Sequence, residues 1–399
     1  MNRTAEVVII GGGVIGASVA YHLSQAGVKN IVLLEKNLLG SGSSGKAAGL
    51  TILQWANEID VQLVQGSLGI YHELIKRNKD IKFNRSGLIY LATTAQEEQY
   101  LRDSQALLNK FNIRSDWLDR AGIRKHLGHW MHIDDFPAGL YTPDDGYLDP
   151  FQIVNAFGKE SRRNGVKIYE MAPVTGIRRI GNTFEVTSSE GTFSTPLLIN
   201  AAGCWAKQVG ELLGLKLPLK PYRTQIAVLK PSHPLPQSIT AVYDMNRNVY
   251  FHGETGGLLL AGDGTTETEE NPDMFRQKAD NSFLEEIAQK ISYLIPGMAD
   301  AQVTNSWAGL CTATPDRMPI IGRIPQLENF ILATGDNGYG FMRAGMLGKI
   351  VAEIALNKLP SINPHTNSLV CGVNIDKLTI DRFAGKDLSE FKITQGMGL

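Results

Sequence analysis

Three glycines near the start of the chain have the spacing of a phosphate-binding turn. Gly11, Gly13 and Gly16 form the pattern Gly-x-Gly-x-x-Gly, and Glu35 follows about 20 positions later. The first glycine permits a tight turn, the second lets the backbone approach a pyrophosphate, and the third lets a helix pack against a strand. The carboxylate of Glu35 can accept hydrogen bonds from ribose hydroxyls and would repel a 2′-phosphate. This combination predicts a dinucleotide-binding site.

The elements around these residues are those that such a site requires. Val7–Ile10 is a short apolar run that predicts a buried strand, residues 17–26 predict an amphipathic helix, and Ile31–Leu34 predicts a second strand. A pyrophosphate would then lie at the positive N-terminus of the helix. The alternative interpretation is a glycine-rich turn with a solvent-exposed glutamate at a strand end.

Later segments add small residues next to apolar runs. Residues 40–49, 197–203 and 329–340 are of this kind, and small residues let the backbone lie directly against a ligand. From residue 218 onward, hairpin-like strands alternate with turns, and the apolar periodicity predicts a helix over 274–294. Segments typical of nucleotide binding therefore occur early, in the middle and late in the chain. The two regions between them differ in their pattern from these segments, and the second has hairpin-like strands.

This order of segments predicts an α/β fold in which a discontinuous Rossmann-like domain carries an inserted α+β substrate domain built on a mainly antiparallel sheet. A chain of 399 residues exceeds what one hydrophobic core usually organises, which favours two domains. We expect the nucleotide-binding domain to comprise residues 1–82, 146–216 and 315–399. The substrate domain would comprise residues 83–145 and 217–314.

The composition argues against several classes of protein. A formal net charge of −1 gives no electrostatic basis for binding nucleic acid or an anionic membrane surface. The apolar runs are shorter than the ~18 residues of a membrane span, and the first strand begins too early for a signal peptide. Cys204, Cys311 and Cys371 lie far apart, so neither a disulfide framework nor a cysteine metal site is expected. These features predict a cytoplasmic protein without a metal.

Taken together, the motifs resemble those of the FAD-dependent amine and amino-acid oxidoreductase family. That family includes sarcosine oxidases, glycine oxidase, L-proline dehydrogenase β subunits and the flavin half of dimethylglycine dehydrogenase. The likeness extends from about residue 6 to about residue 383. The motifs that carry it are the glycine pattern with Glu35, GSSGKAAGL at 42–50, NAAGCW at 200–205, WAGL to Gly322 at 307–322, and residues 334–341.

The resemblance implies FAD as the cofactor, held without a covalent link. Relatives that attach the flavin covalently do so at the positions of Lys46 and Gly309, and neither residue here is the one that relatives use. A helix beginning near Met342 would place its positive N-terminus against the negative charge of reduced flavin. The implied FAD contacts are Gly11, Gly13, Val14, Ile15, Gly16, Glu35, Lys36, Ser43, Ser44, Lys46, Ala47, Ala48, Gly49, Leu50, Val174, Ala202, Gly203, Trp205, Gly309, Gly338, Tyr339, Gly340, Phe341 and Met342.

The resemblance also implies residues near the substrate. Tyr250 matches a tyrosine on the substrate side of the flavin in several relatives, and His252, two positions further on, is either catalytic or a packing residue. Cys311 stands where glycine oxidase has the arginine that binds the substrate carboxylate. Arg343 lies next to the position of a relative's carboxylate-binding lysine. We therefore expect Arg343 to bind a substrate carboxylate, the alternative being an ion pair with Asp336 or exposure to solvent.

The activity implied by the resemblance is oxidation of a C–N bond in an amino acid or N-methyl amino acid of the sarcosine, dimethylglycine, glycine or proline type. Hydride would pass to flavin N5 and leave an imine. Two alternatives stay open: an FAD-dependent 2-hydroxy acid dehydrogenase with a histidine base such as His252, and a flavin subunit that needs a partner chain. Oxygen is expected to be a poor electron acceptor, because Leu260 stands where monomeric sarcosine oxidase has a lysine over the flavin.

Overall fold

The computed structural model of the protein describes residues 3–262, 268–357, 369–388 and 391–393. Its helices are α1 (Val14–Gln25), α2 (Glu58–Arg77), α3 (Ala95–Lys110), α4 (Arg120–Leu127), α5 (Pro150–Arg163), α6 (Ala206–Glu211), α7 (Asn281–Leu294) and α8 (Gly340–Leu356). Its strands are β1 (Arg3–Thr4), β2 (Val7–Ile10), β3 (Ile31–Leu34), β4 (Leu50–Thr51), β5 (Leu88–Ala92), β6 (Asp116–Asp119), β7 (Ala138–Thr142), β8 (Gly146–Tyr147), β9 (Lys167–Tyr169), β10 (Val174–Ile180), β11 (Thr183–Ser188), β12 (Gly191–Thr195), β13 (Leu198–Asn200), β14 (Lys220–Lys230), β15 (Ala241–Asp244), β16 (Val249–Glu254), β17 (Leu258–Gly262), β18 (Gln302–Ala313), β19 (Ile320–Ile324), β20 (Leu327–Thr334), β21 (Leu369–Val370) and β22 (Val373–Asn374).

One half of the molecule is built on a six-stranded sheet in the order β19-β20-β13-β2-β3-β9. Its strands from β20 to β9 are parallel, whereas β19 pairs antiparallel with β20. Every residue of β2, β3 and β13 is buried, which explains their continuous apolar sequences. Alternate residues of β2 and β3 face helices α1, α5 and α8 on one side and the four-stranded sheet β1-β12-β11-β10 on the other.

The middle of this sheet contains a topological switch point. From β2 the chain continues to β3 on one side, whereas β13 pairs with β2 on the other side. Such a point opens a crevice at the carboxyl ends of the strands, where nucleotides bind in open α/β sheets. The turns that begin at Gly11 and Ala201 meet at this crevice, and the amide of Ala201 donates to the carbonyl of Ile10 at 2.9 Å.

The other half is built on an eight-stranded sheet in the order β18-β14-β17-β16-β15-β5-β7-β6. Its strand pairs are antiparallel except for β5 with β15. Helices α4 and α7 pack on one face of this sheet, and α2 and α3 pack on the other. The predicted fold class, a Rossmann-like sheet with an inserted mainly antiparallel sheet, is confirmed. In the described part of the chain, no helix has the length and apolar composition needed to cross a membrane.

One predicted helix is wrong in its extent, because residues 274–280 are not helical and α7 begins only at Asn281. Tertiary hydrogen bonds take the backbone groups that a helix would use in this segment. The amide of Ala308 donates to the carbonyl of Gln277 at 2.8 Å. Arg223 donates to the carbonyl of Lys278, and the amide of Asp280 donates to a side chain of β14. The segment is thereby held extended beside β14 and β18.

Candidate active site

A cavity of about 540 Å³ is lined by residues of both large sheets. It reaches from Glu35 and Lys36, which follow β3, to Tyr243 and Tyr250 of the antiparallel sheet. Its volume lies in the usual range for small-molecule sites, about 300–1,000 Å³. The residues that we expected to contact a cofactor or substrate line this cavity, with the exception of Gly16, His252 and Arg343.

The glycines of the first turn divide into two kinds. A Cβ added at Gly11, where φ is +104°, would lie 2.5 Å from the carbonyl oxygen of Ala201, and one at Gly16 would lie 2.0 Å from the carbonyl of Gly11. These two glycines are required by the packing of the protein itself. A Cβ at Gly13 would meet only the Oγ of Ser44, at 3.4 Å, and would otherwise project into the cavity. The space beside Gly13 therefore fits a ligand that approaches the backbone, as a pyrophosphate does.

Glu35 is held against the same turn. Its Oε2 accepts a hydrogen bond from the amide of Gly12 at 2.6 Å, and its Oε1 accepts one from the amide of Asn37 at 2.8 Å. Each carboxylate oxygen can accept a further hydrogen bond, and Glu35 lines the cavity. The geometry fits ribose hydroxyls at this end.

The short 3₁₀ helix Ser43–Lys46 closes another wall of the cavity. Ser44 Oγ accepts a hydrogen bond from the amide of Val14, the first residue of α1, at 2.9 Å. Lys46 Nζ donates to Gln277 Oε1 at 2.9 Å, and the indole of Trp307 donates to the carbonyl of Lys46 at 2.9 Å. Burial lowers the pKa of the Lys46 ammonium. These bonds fasten residues 43–50, which we call the flavin loop, to β18 and to the extended segment before α7.

A second loop, between β20 and α8, is positioned by Asn337. The amide of Asn337 donates to the carbonyl of Thr312 at 3.0 Å, and its side-chain oxygen accepts from the amide of Thr314 at 3.0 Å. Tyr71, on α2, donates to the carbonyl of Phe341 in the first turn of α8. Gly338 has a left-handed backbone with φ at +88°, and a Cβ added there would contact Cys311 Sγ and the Tyr222 hydroxyl, each at 3.5 Å. The start of α8 is thus held rigidly at the cavity wall.

The N-termini of α1 and α8 are available for a ligand. Helices α2, α3, α4 and α5 each have a side chain that caps the N-terminus, whereas α1, α6, α7 and α8 have neither such a cap nor an acidic residue in the first turn. The N-termini of α1 and α8 line the cavity. Because a helix N-terminus carries positive partial charge and free N–H groups, the pair suits a cofactor with a pyrophosphate at one end and an electron-rich ring at the other.

Aromatic side chains line the cavity next to α8. Tyr243, Tyr250 and Tyr339 belong to one apolar cluster with Met342, and Tyr222 lines the same cavity from β14. The hydroxyl of Tyr243 donates to the side-chain oxygen of Asn248 at 2.7 Å. We call this set of residues the aromatic chamber: Tyr222, Tyr243, Asn248, Tyr250, Tyr339 and Met342.

His252 does not line the cavity, which corrects our expectation of a catalytic role. Its side chain is fully buried, and its ring stacks on Tyr147 with ring centroids 4.0 Å apart. The two ring nitrogens lie 2.9 Å from the carbonyl oxygen of Gly253 and 3.1 Å from that of Ala48. Burial lowers the pKa of His252, which keeps the ring neutral at physiological pH. His252 is a packing residue that ties β16 to the flavin loop.

Arg343 also lies outside the cavity, so it is not placed to bind a substrate carboxylate. Its side chain is 1% exposed, and its Nη2 lies 2.8 Å from the carboxylate of Asp60 on α2. The guanidinium also lies 5.0 Å from the ring centroids of Trp55 and Tyr339. Consecutive residues on a helix point about 100° apart, so Met342 faces the cavity while Arg343 faces α2. The ion pair is with Asp60 and not with Asp336.

Two charged residues of the cavity wall were not among the predicted cofactor or substrate contacts. Arg317, in the loop after β18, lines the cavity, although the segment 307–322 that contains it served only as a family motif. Asp336 is half-buried at the start of the α8 loop, and its Oδ1 has no hydrogen-bond partner in the described part of the chain. Burial raises the pKa of Asp336 to about 6, against the opposing effect of Arg343. Arg317 lies in no glycine pattern, and Asp336, between Gly335 and Gly338, was predicted only as a possible ion-pair partner of Arg343.

Comparison with known proteins agrees with this geometry. The sequence model of the family described as FAD dependent oxidoreductase matches residues 6–354. Dimethylglycine dehydrogenase of Rattus norvegicus is 31% identical over 376 residues, which cover 89% of this chain and 43% of that protein. The chain thus spans less than half the length of the curated dimethylglycine dehydrogenases that it matches.

Two crystal structures have the same fold over nearly their whole length. L-proline dehydrogenase from P. horikoshii superposes with a TM-score of 0.82 and 26% identity, covering 90% of this chain and 96% of that chain. Glycine oxidase from Geobacillus kaustophilus superposes with a TM-score of 0.80 and 25% identity, covering 94% of this chain and 99% of that chain. Together with the family match and the two available helix N-termini, these findings show that the chain belongs to the family of FAD-dependent oxidoreductases.

Proposed function

We propose that this protein oxidises the C–N bond of an amino acid or N-methyl amino acid, of the sarcosine, dimethylglycine, glycine or proline type, to an imine. The observation that carries the proposal is a single cavity that joins the N-termini of α1 and α8 to the aromatic chamber. The names of the relatives, dimethylglycine dehydrogenase, L-proline dehydrogenase and glycine oxidase, support this substrate class.

The nucleotide end of the cavity would hold FAD through its backbone. The N-terminus of α1 and the open side of Gly13 would receive the pyrophosphate, and Glu35 would accept hydrogen bonds from the ribose. When bound, FAD supplies the two-electron acceptor for the hydride. The free N–H groups at the start of α8 stabilise negative charge beside them, which favours the reduced state of a flavin placed there.

The aromatic chamber would select the protonation state of the substrate. Walls formed by tyrosine rings and Met342 solvate an ammonium poorly, so they favour the neutral amine, whose carbon releases hydride more readily. A strong catalytic base is then unnecessary. This agrees with the burial of His252 away from the cavity, and it argues against the 2-hydroxy acid alternative, for which His252 was the expected base.

The experiment that tests the function is an anaerobic screen of the purified holoprotein. N-methyl amino acids, amino acids, proline and 2-hydroxy acids are each mixed with the enzyme, and reduction of the flavin is followed by the loss of its absorbance near 450 nm. We expect reduction by one of the amine groups and not by 2-hydroxy acids. Reduction by 2-hydroxy acids alone would refute the proposal, and reduction only after a partner chain is added would identify a heteromeric subunit.

We also propose the domain boundaries and the cytoplasmic location given above. The strands of the eight-stranded sheet fall within residues 88–142 and 220–313, inside the ranges expected for the substrate domain. The nucleotide-binding strands fall in the remaining ranges. The three scattered cysteines, which form no C-x-x-C pair, support a reducing compartment.

A further inference from the structure

Arg317 is a cation on the cavity wall whose neighbouring carboxylates are already engaged. Among the described residues it is the arginine that lines the cavity, and no carboxylate of the described chain lies within 4.0 Å of it. The adjacent Asp316 forms a two-bond ion pair with Arg382, at 2.6 and 3.0 Å. Asp60 is paired with Arg343. A guanidinium at an aromatic cavity without a counter-ion is well placed to receive an anion from the ligand.

The loop that carries Arg317 holds it in an unfavourable backbone conformation. Its φ is +63°, in the left-handed region that residues other than glycine and asparagine rarely adopt. Thr314 braces the loop, because its Oγ1 donates to the carbonyl of Met318 at 2.8 Å and its carbonyl accepts from the amide of Arg317 at 3.3 Å. Arg382 donates to the same carbonyl of Met318. A strained residue that its surroundings force to a cavity wall points to a function for its side chain.

The side chain of Arg317 is directed to the start of α8. Its guanidinium hydrogen-bonds the hydroxyl of Tyr339, the residue that precedes α8. The Tyr339 ring is itself fixed, since it packs edge-to-face on Trp55 with centroids 4.8 Å apart and contacts the buried guanidinium of Arg343. Arg317 therefore lies where the aromatic chamber meets the N-terminus of α8.

We propose that Arg317 binds the carboxylate of the substrate and so restricts the enzyme to amines that carry one. This inference rests on the proposed C–N oxidation and names the group that selects its substrate. A guanidinium has five N–H donors in a planar fork, so the bond to Tyr339 leaves enough donors for both carboxylate oxygens. A carboxylate held by Arg317 keeps the carbon that bears the amine, one bond away, inside the aromatic chamber.

The test compares a carboxylated substrate with its uncharged amide in variants of the holoenzyme. Sarcosine and N-methylglycinamide form such a pair, and methoxyacetate has the shape of sarcosine but cannot be oxidised at an amine. The variants are Arg317→Gln, which keeps the length and removes the charge, Arg317→Lys, which keeps the charge, and Arg178→Gln as a control on the exposed face of β10. Methoxyacetate binding is measured by the shift of the flavin absorption spectrum, which does not depend on turnover.

We expect Arg317→Gln to lower kcat/KM for sarcosine by about 100-fold, mainly by raising KM. The kcat/KM for N-methylglycinamide should fall by less than about threefold. The Kd of methoxyacetate should rise at least about tenfold. Arg317→Lys should recover part of the loss, and Arg178→Gln should match the wild type. Flavin content and melting temperature show whether each variant is folded.

Two outcomes separate this inference from the proposed function. If Arg317→Gln oxidises sarcosine as the wild type does, or loses activity equally on the amide, the role of Arg317 is refuted while C–N oxidation stands. If no amine is oxidised by the wild type, the proposed function fails. The methoxyacetate titration then still tests whether Arg317 binds a carboxylate. An unchanged Kd in Arg317→Gln then refutes carboxylate binding, and a weakened one supports it.

Discussion

The indole Nε1 of Trp205 donates a hydrogen bond to the carboxylate of Asp273 at 2.8 Å, and this contact joins the two halves of the molecule above the nucleotide end of the cavity. Lys36 and Gln208 donate to the same carboxylate. The ammonium of Lys36 also lies 4.6 Å from the Trp205 ring centroid. Trp205, Lys36 and Gln208 belong to the Rossmann-like half, whereas Asp273 comes from the segment between β17 and α7. We call this set of four side chains the latch.

We expect the latch to slow the release of FAD. Asp273→Asn removes the charge that attracts Lys36 and weakens each of the hydrogen bonds, so FAD should dissociate several times faster than from the wild type. The rise of free-FAD fluorescence after dilution measures the rate. Glu269→Gln is the matched control, because Glu269 forms an exposed ion pair with Lys207 nearby. Equal rates in all three proteins would show that the latch does not retain the cofactor.

Substitution of Glu35 should weaken FAD binding without unfolding the apoprotein. Glu35→Ala removes an acceptor for the ribose and also frees the amides of Gly12 and Asn37. We expect the Kd for FAD to rise about 10- to 100-fold, as for the loss of one or two hydrogen bonds to a charged group. Glu35→Gln keeps one oxygen acceptor and should lose less. A Kd for FAD that is unchanged in Glu35→Ala, measured by calorimetry, would contradict the assignment.

The flavin should be released by acid precipitation. Gly309 has no side chain to form a bond, and the ammonium of Lys46 is engaged by Gln277. Burial raises the pKa of the Cys311 thiol to about 12, so the thiolate that would attack a flavin is scarce. The yellow colour should therefore remain in the supernatant. Colour in the pellet, with a mass increase on a peptide containing Cys311 or Lys46, would show a covalent link.

Asp336 should make stability depend on pH. Its pKa in the folded state is raised from 3.8 to about 6, so the folded state favours the protonated carboxyl. The wild type then loses stability as the pH rises from about 4 to about 6, by about 2–3 kcal/mol. Asp336→Asn should be as stable as the wild type near pH 4 and more stable by that amount at pH 8.

Urea unfolding of the FAD-saturated protein at the two pH values measures this difference. Asp300→Asn, at an exposed carboxylate, serves as the control. Equal effects of the two substitutions at pH 8, or a gain from Asp336→Asn that is larger at pH 4, would contradict the prediction. The result bears on the site because Asp336 lines the cavity beside α8.

Oxygen should reoxidise the reduced enzyme slowly compared with an artificial dye. Leu260 is buried in β17 and brings no positive charge to the cavity. Without a positive charge at this position, superoxide formed beside the flavin is less stabilised, unless Lys46 supplies the charge. Reoxidation in air-saturated buffer, with peroxide measured alongside, tests this. Rapid return of the oxidised spectrum with stoichiometric peroxide would identify an oxidase, and loss of that rate in Lys46→Met would identify the cation responsible.

Local sequence was sufficient to predict the nucleotide-binding crevice and the fold class. The close approach of Gly16 to the carbonyl of Gly11 is a backbone constraint between residues near in sequence, so spacing alone specifies it. The same holds for the buried runs of β2 and β3, whose apolar residues follow from burial on both faces of a parallel sheet. These features depend on few distant contacts.

The orientation of individual side chains depended on the tertiary structure. His252 and Tyr250 lie on the same face of β16, about 7 Å apart along the strand. Tyr147 stacks on His252 and covers it, whereas Tyr250 lines the cavity. Arg343 turns toward α2 because Asp60 lies there.

Arg317 faces the cavity for a reason that involves two distant parts of the chain. Arg382 engages the neighbouring Asp316, and Tyr339 accepts a hydrogen bond from the guanidinium. The sequence by itself determined that the fold accommodates a dinucleotide, because backbone geometry around glycine is a local property. Only the tertiary structure decided which charged side chain faces the cavity, because that choice depends on which distant counter-ions are already paired.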